Sequence, residues 1–269
     1  MLITSRDNTL LRQARAVRDG KADDLIFVEG LRLCEEALRS QLSLEALIFS
    51  EEIARKERAG KVIEELTQIC DRVASVSEKL LESVSYTKTP QGIIVLARRP
   101  DTSEARLSET MHGTALLVIM HQINNPVNVG AILRTAEAAG ATGAIATTNT
   151  TDPFSPKALR GAMGSAFRLP IWTGPSYTEA INWCNQRGVV SVCADPDTGV
   201  SYTDVDWTES SALILGPEST GLTDEETRSA RQTVRVPMQG SVESLNVAVA
   251  AGVLLYEAVR QRQSVMSKQ

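Results

Sequence analysis

Five short runs recur through the chain after residue 114, "ALLVIM", "GAIAT", "VVSVCA", "ALILG" and "TVRVP", each almost uninterrupted in its apolar character and separated from the next by helix-like or turn-rich sequence. A strand with one wet face alternates apolar and polar residues, and these runs do not. They suit strands buried on both faces of a mainly parallel sheet with helices packed on either side, which excludes helical bundles and two-sheet sandwiches.

Helix signals fall between the runs. In "SPKALRGAMGS" Ser155 reads as a cap and Pro156 as the first helical residue. Thr223 and Glu226 in "LTDEET" have capping-box spacing. In "INNPVNVGAILRTAEAAG" Asn128 reads as a helix cap and Gly140 as the terminator. The final helix, "SLNVAVAAGVLLYEAVRQR", is expected to open at Ser244 and to end in basic residues, as a helix C-terminus prefers.

The first part of the chain has its own alternation. "LIFVEG", "LEALIFS" and "GIIVLAR" read as strands, "LRLCEEALRS" and "KVIEELTQIC" as helices. The polar stretch "RRPDTSEARLSETMHGT", residues 98–114, separates the two regions. The expected organisation is therefore α/β throughout, with a small first domain over residues 1–105 and a second over 114–269, a division that 269 residues accommodate.

Composition narrows the chemistry. The N-terminus lacks the apolar core of a signal peptide, and "VAVAAGVLLY" is too short to span a bilayer, so a cytoplasmic protein with no membrane partner is expected. Cys34, Cys70, Cys184 and Cys193 show no metal-ligand spacing and are expected to be buried, reduced thiols. With His112 and His121 as the only histidines, neither a His-rich metal site nor a Ser-His-Asp triad finds material, and no metal is expected. Neither GxGxxG nor GxxxxGK[ST] occurs, so the usual nucleotide fingerprints are absent. A net charge of −5 argues against bulk attraction to nucleic acid. A local patch remains open: Arg12, Arg15 and Arg18, with Arg6 and Lys21 alongside, would form a basic stripe on a helix, or simply a solvated face.

Three stretches could carry chemistry. Arg134 is a lone cation in a small, apolar helix that follows the strand "ALLVIM", near the C-terminal strand edge where open parallel sheets bind ligands; the plainer reading pairs it with Glu137 on the surface. In "LILGPESTGLTDEE" a buried strand ends at Gly216-Pro217, a carboxylate follows at Glu218, and Gly221 closes a tight turn that lets the backbone approach a ligand. An ordinary strand-to-helix turn would look the same. In "VRVPMQGSVESLNVAVAAG" a loop delivers Ser244 and Asn246 to a helix N-terminus, where they could hold a polar ligand edge or merely cap the helix.

Taken in order, "NPVNVGAILRTAEAAG", "LILGPESTGL" and "VRVPMQGSVESLNVAVAAGVLLYEA" resemble the three motifs of the SpoU family of RNA 2′-O-ribose methyltransferases, within the SPOUT superfamily, over roughly residues 114 to 262. "LIFVEGLRLCEEAL" looks like the ribosomal-protein-like substrate-binding domain that precedes the catalytic domain in rRNA-modifying members. The resemblance implies a C-terminal α/β domain with a parallel sheet and a deep trefoil knot, S-adenosyl-L-methionine as cofactor, and an active site completed across a homodimer. It implies catalytic roles for Asn128, Arg134, Glu218, Ser244 and Asn246. Gly216, Glu218, Gly221, Val236, Met238, Ser244, Leu245 and Asn246 would bind the cofactor. RNA, ribosomal before transfer RNA, would meet Arg12, Arg15, Arg18, Arg134, Arg160 and Arg168. Family members often carry aspartates where this chain has His121 and Asn125, and neither position is among those expected to be essential. Two other readings stay open: a ribosome-binding or assembly protein that keeps the shape without turnover, and a metabolic enzyme using Arg134 on a small phosphorylated substrate.

Overall fold

The computed structural model describes residues 1–195 and 198–266, which fall into two compact units. The first comprises residues 1–100 together with 154–168, the second residues 101–153 and 169–269. The short segment around "SPKALRGAMGS" thus clusters with the N-terminal unit, although its place in sequence lies between strands of the second region.

In chain order the first unit contains β1 (Leu2–Ile3), α1 (Thr9–Arg18), β2 (Leu25–Glu29), α2 (Leu31–Arg39), β3 (Leu44–Ser50), α3 (Glu51–Ala54), α4 (Glu57–Ile69), β4 (Arg72–Val76), α5 (Glu78–Val84) and β5 (Ile93–Arg98). The strands form one mixed sheet in the order β1-β4-β3-β5-β2, with β5 antiparallel to both its neighbours. Leu10, Leu11, Ala14 and Val17 of α1 and Leu80, Leu81 and Val84 of α5 bury against Phe27, Ile48, Val76 and Leu96. Three of these strands match the expected apolar runs, whereas β1, β4, α3 and α5 carry no such signal. The "RVASV" of β4 is short and begins with an exposed arginine, so its apolar signal is weak.

The second unit contains α6 (Glu104–Ser108), β6 (Leu116–Met120), α7 (Pro126–Ala138) and β7 (Gly143–Ala146). The intervening α8 (Pro156–Ala162) and α9 (Ser165–Arg168) belong to the first unit. The second resumes with β8 (Ile171–Thr173), α10 (Tyr177–Gln186), β9 (Val190–Ala194), β10 (Ser211–Leu215), α11 (Asp224–Ser229), β11 (Gln232–Val234) and α12 (Val247–Met266). Its six strands are all parallel, in the order β11-β9-β10-β6-β7-β8. Every residue of β6, β7 and β10 is buried, as strands covered on both faces require. Leu117, Ile119, Ala212 and Ile214 pack with Tyr177, Ile181 and Trp183 of α10. On α7, Val129, Ile132, Leu133 and Ala136 are buried, and α12 packs alongside with Gly252 facing the Thr135 methyl at 3.7 Å from an ideal Cβ. β8, only three residues long, was not legible as a strand.

Two helix starts differ from expectation. α7 is capped by Asn125, whose side chain accepts the Val127 N–H, and Pro126 occupies its first turn. Asn128 lies inside that turn and is buried, free for another partner. α12 opens at Val247 with Asn246 as its cap, accepting from Ala248 and Val249 N–H, so Ser244 does not open the helix. The helix runs on to Met266, past the basic residues that the pattern placed at its end. The two capping predictions at Ser155 and Thr223 fare differently: Thr223 and Glu226 form a full capping box, whereas Ser155 occupies the cap position without a side-chain hydrogen bond. All four cysteines are buried and unpaired.

The basic stripe on α1 is not uniform. Arg12 is exposed, and Arg15 donates to the Arg6 carbonyl at 2.6 Å. The Arg18 guanidinium bonds Asp19 and reaches the carbonyls of Ser83, Val84 and Ser85 at the end of α5, satisfying groups that the helix leaves unpaired. Arg18→Gln is expected to lower stability by about 1–2 kcal/mol in urea unfolding, the range for charge-assisted bonds at a helix C-terminus. Arg12→Gln should change it by less than about 0.5 kcal/mol.

Candidate active site

At the C-terminal edge of the second unit's sheet a cavity of about 790 Å³ opens between the ends of β9, β10 and β11 and the start of α12. Two loops build most of it. The loop after β10 brings Gly216, Glu218 and Gly221, and the loop after β11 brings Val236, Met238, Ser244, Leu245 and Asn246. All eight side chains or backbones expected to meet a cofactor therefore line one cavity, joined by Leu222, Asp195 and Arg235, which sequence reasoning did not single out.

The first loop is held tightly. The Gly221 N–H donates to the Pro217 carbonyl at 3.0 Å, with Gly221 in the left-handed region at φ +64°. Leu222 folds back over Gly216, where a Cβ would come within 2.9 Å of the leucine side chain. Glycine at 216 is thus a steric requirement of the turn.

Beside the cavity, three sequence-distant polar residues meet. Asn128 Nδ2 of α7 donates to Glu218 Oε1 in a short hydrogen bond. Asn246 Nδ2 donates to Asn128 Oδ1 at 3.3 Å. One amide therefore ties a carboxylate on the β10 loop to the cap of α12. Ser244 is exposed on the cavity wall.

Arg134 is exposed on α7. It follows Asn128 by six residues, which puts it about 9 Å further along α7 and roughly 120° around it. The hydrogen bonds of the Asn128–Glu218–Asn246 cluster do not include it. Of the other arginines, Arg160 is exposed on α8, while Arg168 pairs with Glu36 at 2.7 Å and contacts Ser40 at 3.3 Å, both within the first unit. Among the described residues no group of three or more His, Cys, Asp or Glu could hold a metal ion, and no helix is long and apolar enough to cross a membrane.

One cluster was missed at the sequence level. His121, at the end of β6, is buried with Nδ1 2.9 Å from Thr147 Oγ1 and Nε2 2.9 Å from Glu226 Oε1. Burial alone would push the Glu226 carboxyl up, but the Thr223 N–H and hydroxyl and the facing His121 outweigh it and hold it below the ordinary range. The available signal was a histidine directly after a fully apolar strand, a position where an unsatisfied ring is costly.

An all-parallel α/β domain with its cavity and its acid–amide cluster gathered on loops at the C-terminal strand edge defines a ligand-binding enzyme domain of the open-sheet α/β class. The chain belongs to the SpoU rRNA methylase family: residues 115–256 match that family, and residues 10–95 match the MRM3-like substrate binding domain. It is 34% identical over 218 residues to the 23S rRNA (guanosine-2′-O-)-methyltransferase RlmB of Bordetella pertussis, covering 80% of this chain and 89% of that protein. The crystal structure of an AdoMet-bound rRNA methyltransferase from Sinorhizobium meliloti superposes with a TM-score of 0.83 at 29% identity over 97% of both chains. The SpoU methyltransferase AviRb from Streptomyces viridochromogenes, solved with AdoMet, gives 0.84 at 28% identity, covering 96% of this chain and 99% of that one.

A carboxyl held below its ordinary value contributes stability that is complete above that value and is lost as pH falls through the folded one. For Glu226 the window lies below about pH 4.5. The stability gap between the native protein and Glu226→Gln is expected to be widest above that pH and to close below it, read from urea midpoints across an acid series.

Proposed function

We propose that the protein transfers a methyl group from S-adenosyl-L-methionine to a ribose 2′-hydroxyl of ribosomal RNA. The observation that carries the reading is the junction of the Asn128–Glu218–Asn246 cluster with a cavity lined by all eight expected cofactor residues. Family membership and the RNA 2′-O-methyltransferases among the relatives support the same reaction class.

The cavity suits the cofactor chemically. Gly216 and Gly221 bring backbone close to a ligand, Val236, Met238 and Leu245 offer apolar surface for a base, and Glu218 supplies negative charge near a sulfonium. The bound cofactor provides an electrophilic methyl carbon whose bond to sulfur breaks as the new bond to oxygen forms, the electron pair leaving with sulfur. The chain's own residues must orient the 2′-hydroxyl, accept or relay its proton, and steady the adjacent phosphate. Asn128 fixes the Glu218 carboxylate, and that carboxylate or a substrate phosphate oxygen takes the proton. A guanidinium stays charged at neutral pH, so Arg134 serves as a cation, gripping phosphate and stabilising the developing alkoxide.

The exposure of Arg134, together with its absence from the hydrogen bonds of the Asn128 cluster, supports a homodimer in which each arginine completes the partner's site. The knotted arrangement of the C-terminal loops belongs to this same reading. The exposed Arg12 and Arg160 are its RNA contacts in the first unit, with Arg15 and Arg168 beside them. Arg18 contributes through the shape of α1 as much as through charge.

Calorimetry should detect S-adenosyl-L-methionine binding, and tritiated methyl should be retained by ribosomal RNA and not by small molecules; no binding at millimolar cofactor would sink the proposal. Arg134→Lys, which keeps charge but loses the planar fork, should slow methyl transfer about a hundredfold with cofactor binding near normal. Arg134→Ala should be slower still. Mixing inactive Arg134→Ala and Asn128→Ala chains should restore activity through mixed dimers holding one intact site, whereas no recovery in mixed dimers would assign both residues to a single protomer's site.

A further inference from the structure

We propose that His121 is the positioning residue of the cofactor loop, anchoring both ends of the 216–222 turn, one through its backbone and the other through its imidazole. The inference rests on the reading of the cavity as the S-adenosyl-L-methionine site. The turn joins β10 to α11 and forms one wall of that cavity. Where it begins, the His121 N–H donates to the Leu215 carbonyl at 2.9 Å. Where it ends, Glu226 Oε2 accepts the Thr223 N–H at 2.8 Å while Oε1 faces His121 Nε2 at 2.9 Å. Thr223 directly follows Leu222, so one buried residue brackets the whole turn.

The chemistry of the contact fixes the imidazole's part in it. An ionised carboxylate only accepts, so Nε2 carries the proton and donates it to Glu226. Nδ1 is held by Thr147 at the end of β7, and the ring packs edge-on to Tyr177 with centroids 4.7 Å apart. Tyr177 in turn donates its hydroxyl to the Glu226 carbonyl at 2.8 Å. His121 is 3% exposed, so water does not replace a lost donor cheaply. Glu218 rides on the same turn but is also tied to Asn128, so a loosened turn should affect cofactor binding before it affects the chemical step.

The test uses the full-length chain, with calorimetry for S-adenosyl-L-methionine and the split between KM and kcat in methyl transfer to ribosomal RNA. His121→Asn is too short to reach Glu226 and should weaken cofactor binding about tenfold, the loss of one bond to a charged group. Its kcat at saturating cofactor should stay within about threefold of native, a difference of less than roughly 1 kcal/mol. His121→Gln carries an amide donor at the position of Nε2 and should return the affinity to within about threefold of native. Should His121→Asn fail to fold, Glu226→Ala asks the same question, because it removes the acceptor of both the Thr223 and His121 donors. It should also lose about tenfold. Native-like cofactor affinity in whichever of these two folds would overturn the inference, as would a failure of glutamine to rescue, which would reduce His121 to core filling. A native protein that binds no cofactor would instead overturn the functional reading and this inference with it.

Discussion

The site depends on one side-chain amide. Asn128 sits in the first turn of α7, buried, and bonds Glu218 with its nitrogen and Asn246 with its oxygen, joining segments 90 and 118 residues away. Its burial makes the contact matter: a side-chain amide at that depth has no water to fall back on, and removing either partner leaves a polar group unsatisfied. α7 can offer Asn128 inward because Asn125 and Pro126 have already started the helix ahead of it.

The rest of the second unit serves that meeting. Six parallel strands carry their C-terminal ends to one edge, and the loops leaving β10 and β11 fold over it. Gly216 and Gly221 allow the first loop its tight return, with Leu222 closing it from inside. On the proposed reading rigidity here is functional: a cavity that presents a methyl group in line with a hydroxyl loses rate steeply with small misplacements. The first unit has a separate core and sheet, and its match to a substrate-binding domain fits a division between holding RNA and modifying it.

Much of this was legible in the sequence, for identifiable reasons. Strands buried on both faces announce themselves as unbroken apolar runs, and β6, β7, β9 and β10 did so. Glycine, proline and a lone carboxylate after such a run marked the β10 loop, because the turn there has few other sequences open to it. Less legible were features set by tertiary context. β4 and β8 are too short or too polar at their ends to carry a pattern. Asn125 and Asn128 are equally good caps in isolation, and only the buried meeting with Glu218 assigns the second to the site. His121 was noticed only as a departure from a motif, since nothing local says that Glu226, 105 residues on, completes its hydrogen bonds. Arg18 looked like its neighbours on the stripe until the end of α5 came to meet it.

The central claim is that the Asn128 cluster directs methyl transfer to a ribose of ribosomal RNA. The most direct measurement maps 2′-O-methylation across total RNA from cells with the gene, without it, and with Asn128→Ala restored in its place. The account predicts one ribosomal RNA ribose that loses its methyl group on deletion and does not regain it with the Asn128→Ala chain. Full recovery by Asn128→Ala, or a ribosomal RNA methylation map unchanged by deletion, would contradict it.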